Sequence, residues 1–449
     1  MKEAKVETAA EGEAIAARPV VLLLAAKRWI STARVAMALE ELGCVVEMMA
    51  PAGHPAVIAC GVHALHRYDP LHPVPSLQRA LAKAKPVAVV AVDELMVHAL
   101  EELWWTSDSK HAAVAARDKA TRELIRHSVG DNRTLAVGRS RMEQLKVAQE
   151  EGVAVPETVT VGRASGVEAA MRQVGMPMVL KADISSGGRG VVMIDDAGKA
   201  REAWKSLHRP VNLSRAVLRG LRYGEWAHLR RSAKRETREI TAQRYVSGPE
   251  RTGMAVCRDG EVLGCECMEV VRTWVARGPS SVLRVVRDEE MESAMRRMVK
   301  RLGVSGFCGF DFIVEPKNGE EGSGKLLLIE VNLRPTQMVH LPLGTGRDLV
   351  AAYVREVLGV EGVQDRVAAT SGELIALFPQ ELQRDPESEF AAQGYHDVPW
   401  KMPRLIELAL AGMPEGVLRS KDKRQQKLEA DPLHPSEQRT LAGGPVLRG

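Results

Sequence analysis

Two apolar stretches, "FDFIV" (310–314) and "LLLIEVN" (326–332), carry acid where acid is costly to bury. Both read as strands. Asp311 lies on the first; Glu330 and Asn332 lie on the second, two residues apart and so on one face. A carboxylate buried among apolar neighbours needs compensation. Two carboxylates and an amide oxygen suit Mg²⁺, which takes hard oxygen ligands and keeps positions open for water and phosphate. Isolated polar positions on two strands are the other reading of the same residues. Arg334 follows directly. Beside a metal-bound nucleotide, its guanidinium can hold a transferred phosphoryl group or a substrate carboxylate.

A second stretch, "VLKADISSGGRGVVM" (179–193), joins an apolar run, Lys181, a Ser/Gly loop and another apolar run. Tight hairpins use two turn residues. Here Ser185, Ser186, Gly187, Gly188, Arg189 and Gly190 make a longer, looser connection. The Gly-Lys-Ser/Thr ending of a P-loop is missing, and no helical pattern follows. The backbone N–H groups can still form a concave nest for an anion. Taken alone the signal is weak, because glycine-rich hairpins are common.

The first half alternates strands and helices: "PVVLLLAA", then a helix capped by Ser31 and stopped by Gly43, "CVVEMMAP", a helix capped by Ser76, and "VAVVAVDE". That order predicts a parallel α/β layer. Ligands gather at the carboxyl ends of such strands, which sets "AAKRWIS" (25–31) and Asp93-Glu94 on one rim.

Beyond residue 110 the pattern turns helical. A helix over "SRMEQLKVAQEEG" ends at Gly152, a strand follows Pro156, and "GVEAAMRQVG" is a helix. Residues 201–240 hold eleven Lys/Arg against four Glu, an excess of 11 − 4 = +7, and read as a solvated helical surface. An Arg-Asp-Gly turn falls at 258–260, an amphipathic helix over "DEEMESAMRRMVKRLG", and a hydrophilic loop at 316–325. Residues 346–412 read as mixed and mainly helical.

Length allows two or three domains. A net charge of +4 is too mild to argue for nucleic acid, and five Phe with five Tyr offer few stacking platforms. Six scattered cysteines suggest reduced thiols. Cys265 and Cys267 share a strand face without two further metal ligands. No basic leader or long apolar span occurs, so a cytoplasmic protein without a membrane partner is expected.

"LKADISSGGRGV", "QRYVSGPE", "GFDFI" and "IEVNLRP", in this order and spacing, resemble the ATP-grasp superfamily over residues ~136–345. A weaker likeness to its N-terminal α/β domain covers ~18–120. The resemblance implies an N-terminal parallel α/β domain (19–120) and an ATP-grasp domain (121–345) of two α+β subdomains, with a mobile lid at about 151–242. A helical extension (346–412) would follow, with disordered ends at 1–18 and 413–449.

It further implies ATP and Mg²⁺ (or Mn²⁺) as cofactors. Arg141 and Lys181 would contact the nucleotide phosphates. Ser185–Gly190 would cover the β- and γ-phosphates. "QRYVSG" would be the adenine hinge, read by backbone groups of Arg244 and Val246 around Tyr245. Gln243 stands where many members have glutamate, and Glu250 would hold the ribose. Asp311, Glu330 and Asn332 would be the metal ligands, and Arg334 would act at the reacting phosphate.

The implied reaction is ligation of a carboxylate to an amine or thiol through an acyl phosphate. An ATP-grasp kinase or carboxylase and a non-catalytic nucleotide binder are the alternatives. Arg272 and Arg277, near a turn at Gly278–Ser281, are candidates for the acceptor or acyl phosphate, or surface arginines on a hairpin. His340 is an acceptor-pocket candidate or a structural histidine. Partners would be small molecules, and the resemblance allows a homodimer.

Overall fold

The structure is a computed structural model. It describes residues 18–59, 61–106, 112–183, 190–223, 226, 228–276, 278–317 and 320–411. The expected disordered ends, most of the flap (Ser185, Ser186, Gly187, Gly188 and Arg189), Arg277 and Cys60 lie outside the described residues.

The first sheet is parallel, with strands β1 (Val20–Leu24), β2 (Val45–Ala50), β3 (Ala64–Arg67) and β4 (Ala88–Ala91) in the order β3-β2-β1-β4. β1 is central and almost wholly buried, as an all-apolar strand covered on both faces must be. Its side chains alternate between two cores. Leu22 and Leu24 join one that includes Phe310 and Leu328, while Val21 and Leu23 join another with Met254 and Tyr353. The two faces of the α/β layer thus belong to two cores that also include residues of the large sheet.

Local details depart from the sequence reading. The helix Ile30–Glu41 starts with Trp29 at its N-cap and no side-chain cap, so Ser31 lies inside it. Gly43 does end that segment, at φ +88°. The next helix begins at Pro73, a residue whose fixed φ suits a first turn. Ser76 is thus interior, and its Oγ donates to the His72 carbonyl at 2.9 Å. β3 and the short helix Pro55–Ala59 carry no clear periodicity and are additions to the expected pattern.

A second sheet is antiparallel: β5 (Thr158–Thr160), β6 (Met178–Ala182), β7 (Val191–Ile194) and β8 (Ile240–Arg244), in the order β5-β8-β6-β7. Lys181 pairs with Val191 across the flap. The third sheet has seven strands: β9 (Glu250–Arg258), β10 (Glu261–Thr273), β11 (Ser280–Val286), β12 (Gly306–Lys317), β13 (Glu320–Asn332), β14 (Leu374–Ala376) and β15 (Tyr395–His396). Its order is β13-β12-β9-β10-β11-β14-β15. Asp259 and Gly260 take φ +48° and +85°, the left-handed pair that a tight β9–β10 hairpin requires.

One boundary is corrected. β12 and β13 run to Lys317 and from Glu320, so the expected 316–325 loop is mostly strand. Residues 346–412 contribute β14 and β15 to the sheet edge as well as short helices. Among the described residues no helix is long and apolar enough to cross a membrane. Cys44, Cys257, Cys265, Cys267 and Cys308 are free thiols.

Candidate functional site

β12 and β13 pair so that Asp311 stands directly opposite Glu330. Asn332 Nδ2 donates to Asp311 Oδ2 at 3.1 Å, and Thr252 Oγ1, from neighbouring β9, donates to Asp311 Oδ1 at 3.0 Å. Burial and the nearby Glu330 carboxylate push the Asp311 carboxyl up to about 6. Two acids and an amide held together, with one acid raised by desolvation and by its neighbour, form a donor set suited to a hard divalent cation.

The helix Arg141–Glu150 lies against β13. Ser140 caps it, accepting from the Glu143 N–H at 3.4 Å. Gln144 fastens it: Nε2 donates to the Val331 carbonyl at 3.0 Å and Oε1 accepts from the Val331 N–H at 2.9 Å. The side-chain amide thereby satisfies part of an open sheet edge. Gly138, in the preceding helix Asn132–Arg139, lets that helix abut Leu333, since a Cβ there would meet Leu333 Cδ1 at 2.3 Å. Arg141 consequently points at the acids, with Nη2 2.8 Å from Glu330 Oε1 and Nη1 3.2 Å from Asp183 Oδ1. Its Nε is buried without a partner among the described residues.

Lys181 sits two residues before Asp183 on β6. Burial and then Arg141 bring its ammonium down to about 8, against the pull of Glu330, Asp311 and Glu250. Asp183 is raised to about 6 by burial, although Arg141 opposes the rise. Lys181 and Arg141 from one side thus face Asp311 and Glu330 from the other.

The rim of the first sheet completes the group. Asp93 is fully buried and accepts from the N–H groups of Ala26 (2.7 Å) and Lys27 (3.0 Å), locking the ends of β1 and β4 together. The next residue, Glu94, opens the helix Glu94–Thr106. Its Oε1 accepts from Arg334 Nε at 2.9 Å and lies 2.6 Å from Arg334 Nη2. Its Oε2 is 3.0 Å from Lys27 Nζ. Both cations lie over the Trp29 ring, Lys27 Nζ at 4.6 Å and the Arg334 guanidinium carbon at 5.4 Å from its centroid. Burial alone would raise the Glu94 carboxyl, but Arg334 and Lys27 outweigh it and hold it at about 2. Arg334 also reaches Asn332 Oδ1 at 3.4 Å, which joins rim and acid set. A cleft lined by Glu94, Arg141, Asp183, Glu330, Asn332 and Arg334 runs between them.

The remaining candidates are distributed as follows. Gly190 is buried and its carbonyl accepts from the Ala182 N–H at 2.8 Å, closing the base of the flap. Gln243 is buried on β8, where Nε2 donates to Thr158 Oγ1 at 2.9 Å. Arg244 pairs with Glu315 at 2.6 Å, and its backbone N–H donates to the Glu157 carbonyl, so that N–H already has an acceptor within the sheet. The Tyr245 N–H donates to the Pro177 carbonyl at 3.2 Å, and Val246 is buried. Glu250 begins β9; burial raises its carboxyl and Lys181 opposes the rise.

Two residues with open readings lie away from the cleft. Arg272 is exposed, donates to the Val271 carbonyl at 2.8 Å and stacks on Phe390, 5.0 Å from the ring centroid. It does not join the cleft, because the β10–β11 hairpin points it toward the C-terminal segment. His340 is buried against Asp397, with Nε2 2.8 Å from Oδ2, and Arg34 binds the same carboxylate. It is a buried histidine hydrogen-bonded within the core.

The sequence reading assigned no role to Lys27, Trp29, Glu94, Gln144 or Thr252. The rule for strand ends had put Lys27, Trp29 and Glu94 on a shared rim. Nothing local marked Gln144 or Thr252.

No family model matches the sequence, and neither does any curated protein. Solved structures do. The chain is similar to N5-carboxyaminoimidazole ribonucleotide synthetase from Thermus thermophilus, at 18% identity over 78% of this chain and 80% of that one, with a TM-score of 0.51. It is also similar to a biotin carboxylase–β-γ-ATP complex from Campylobacter jejuni (14%, 77% and 73%, TM-score 0.51). An L-amino acid ligase from Bacillus licheniformis is a third (15%, 78% and 71%, TM-score 0.50). At these identities the likeness is one of fold.

Proposed function

The chain has the ATP-grasp fold, and we propose that it uses that fold to join a small-molecule carboxylate to an amine at the expense of ATP. The observation that carries this reading is that Arg141, Glu330, Asn332 and Arg334 line one cleft, with Asp311 hydrogen-bonded to Asn332 behind it and Lys181 within electrostatic reach of Glu330 and Asp311. Neighbouring structures of ATP-dependent ligases and carboxylases support it, some of them solved with ATP or ADP.

Asp311, Glu330 and Asn332 would hold Mg²⁺ or Mn²⁺, whose charge neutralises phosphate oxygens during transfer. Arg141 and Lys181 take the nucleotide phosphates, with residues 151–242 as the lid. Glu330, paired here with Arg141, would serve as a cation ligand, and the Arg141 guanidinium would then be available to phosphate. A substrate carboxylate oxygen attacks the γ-phosphorus, and the bond to the β-phosphate oxygen breaks to release ADP. Arg334 neutralises the acyl phosphate as it forms. The amine nitrogen next attacks the acyl carbon, inorganic phosphate leaves, and the nitrogen gives up a proton. The chain's contribution is positioning and charge, with no covalent step of its own.

A screen of amino acids and small acids for ADP release tests the reading. ADP formation that needs both a carboxylate and an amine supports ligation. ADP formation with a single phosphate acceptor would replace it with a kinase.

A further inference from the structure

The cleft that Arg334, Asn332 and Glu330 line has walls that the chemistry above leaves unused. From the helix Glu94–Thr106 it takes Glu94, Val97, His98 and Glu101, the i, i+3, i+4 and i+7 positions of one helix face. From the helix Asn132–Arg139 it takes Arg139. Neither His98, Glu101 nor Arg139 has a part in holding metal or nucleotide.

The helix that carries His98 is held at several points. Glu94 binds Arg334 and Lys27, and Glu102 takes a fork from Arg230, with Nη1 2.8 Å from Oε2 and Nη2 2.5 Å from Oε1. Through that fork the basic segment 201–240, expected as a solvated surface, docks one of its helices onto the fold.

His98 Nδ1 lies 3.2 Å from Glu101 Oε2, and Arg139 Nη1 lies 3.6 Å from the same oxygen. The Glu101 side chain is 9% exposed, whereas that of His98 keeps 26% open. A carboxylate only accepts hydrogen bonds, so Nδ1 carries the hydrogen and Nε2 the lone pair. Nε2 has no hydrogen-bond partner among the described residues. Histidine takes and gives protons near neutral pH, and a carboxylate on one ring nitrogen fixes which nitrogen is basic.

Ligation leaves one proton without an acceptor, the one that the attacking nitrogen sheds. The other carboxylates of the cleft are already bound. Glu94 is held by Arg334 and Lys27, while Glu330 and Asp183 are held by Arg141 on the nucleotide side. His98 stands one helical turn from Glu94, the carboxylate that holds Arg334.

We propose that His98, oriented by Glu101, is the general base for the amine, which the cleft seats between His98 and Arg334. This role rests on the ligase reading. As the nitrogen attacks the acyl carbon, the N–C bond forms and the C–O bond to phosphate breaks, its electron pair leaving on phosphate. Nε2 takes a proton from the nitrogen and passes it to the departing group, which leaves as hydrogen phosphate.

Hydroxylamine separates acyl transfer from base catalysis, because it is a free base at neutral pH and attacks acyl phosphates unaided. The full chain is incubated with Mg·ATP and a pool of amino acids and short carboxylic acids, with or without hydroxylamine. Hydroxamate is read by its iron(III) colour and amide by mass spectrometry. His98→Gln should keep hydroxamate formation within about twofold and lose amide formation by about 10²-fold at neutral pH. That loss should shrink as pH rises toward the amine's own ionisation, a dependence that a structural histidine would not produce. Glu101→Gln, which can still accept from Nδ1, should lose less amide formation than Glu101→Ala. Circular dichroism and Tm verify folding, and His98→Ala is read in the same way if His98→Gln does not fold. Wild-type amide formation in the folded variant, with hydroxamate unchanged, overturns the base and spares the ligase reading. Equal loss of hydroxamate and amide also overturns it, since His98 would then act outside aminolysis. A wild type that releases no ADP and forms neither product overturns the ligase reading itself, and the base falls with it.

Discussion

Asp311, Glu330 and Asn332 come from two adjacent antiparallel strands, and their meeting follows from register alone. Across the cleft, Lys27, Trp29, Glu94 and Arg334 come from three segments, and the Glu94–Arg334 pair spans 240 residues. The acid side needs only a hairpin. The rim needs the parallel sheet docked against the large one, with Asp93 locking its strand ends. A defect in the acid side should therefore remove chemistry while sparing the fold, whereas a defect in the rim should disturb how the two sheets meet.

The largest effect tests the acid side. Glu330→Ala should abolish metal-dependent ADP formation in folded protein, and normal turnover would end the metal assignment. Arg334→Ala, at the point where both sides meet, should bind ATP within a few-fold of wild type and lose turnover by roughly 10²–10³, as for a lost oxyanion donor. Lysine should recover only part, since a point charge lacks the planar fork. The reverse result, lost ATP affinity with kcat intact, would make Arg334 a ground-state phosphate anchor.

Lys181→Ala should weaken ATP binding by roughly 1–3 kcal/mol, measured by calorimetry. In the wild type, ATP affinity should decline as pH rises past about 8, where the depressed ammonium loses its proton. A flat profile in that range would argue against a direct contact.

Glu94→Gln probes the rim. The wild-type carboxyl is held at about 2, below its ordinary 4.5. Its folded pKa is depressed, so its stabilisation is fully present above about pH 4.5 and fades as pH falls toward 2. Acid unfolding followed by tryptophan fluorescence should be shallower across that window in Glu94→Gln. Identical curves would show that the pair contributes nothing to the junction. Arg272→Ala should have the smallest effect, within roughly 0.5 kcal/mol on stability and about twofold on turnover. A large kcat loss would return it to the cleft.

Legibility divides along the same line. The acids, Lys181 and Arg334 stood out because they interrupt apolar strands or bound a glycine loop. The rim was legible only as a location, through the rule for parallel strand ends, and Glu94 acquired a role once Arg334 was beside it. Arg272 and His340 looked alike in sequence as polar residues near the motifs. Their fates were set by where β10 turns and by Asp397, which lies 57 residues from His340. The basic segment read as surface because charge composition says nothing about what a helix packs against.

By itself, the sequence determined the alternation of the first sheet, the flap between β6 and β7, and the face shared by Glu330 and Asn332. Each depends on interactions within a few residues or on a strand's period of two. Only the tertiary structure decided that Gln144 fastens Arg141 to β13, that Glu94 holds Arg334 and Lys27 over Trp29, and that Arg230 ties the basic helices to the helix Glu94–Thr106 through Glu102. These contacts join residues whose sequence separation carries no periodic signal, and they form only when separate sheets bury their apolar faces against one another.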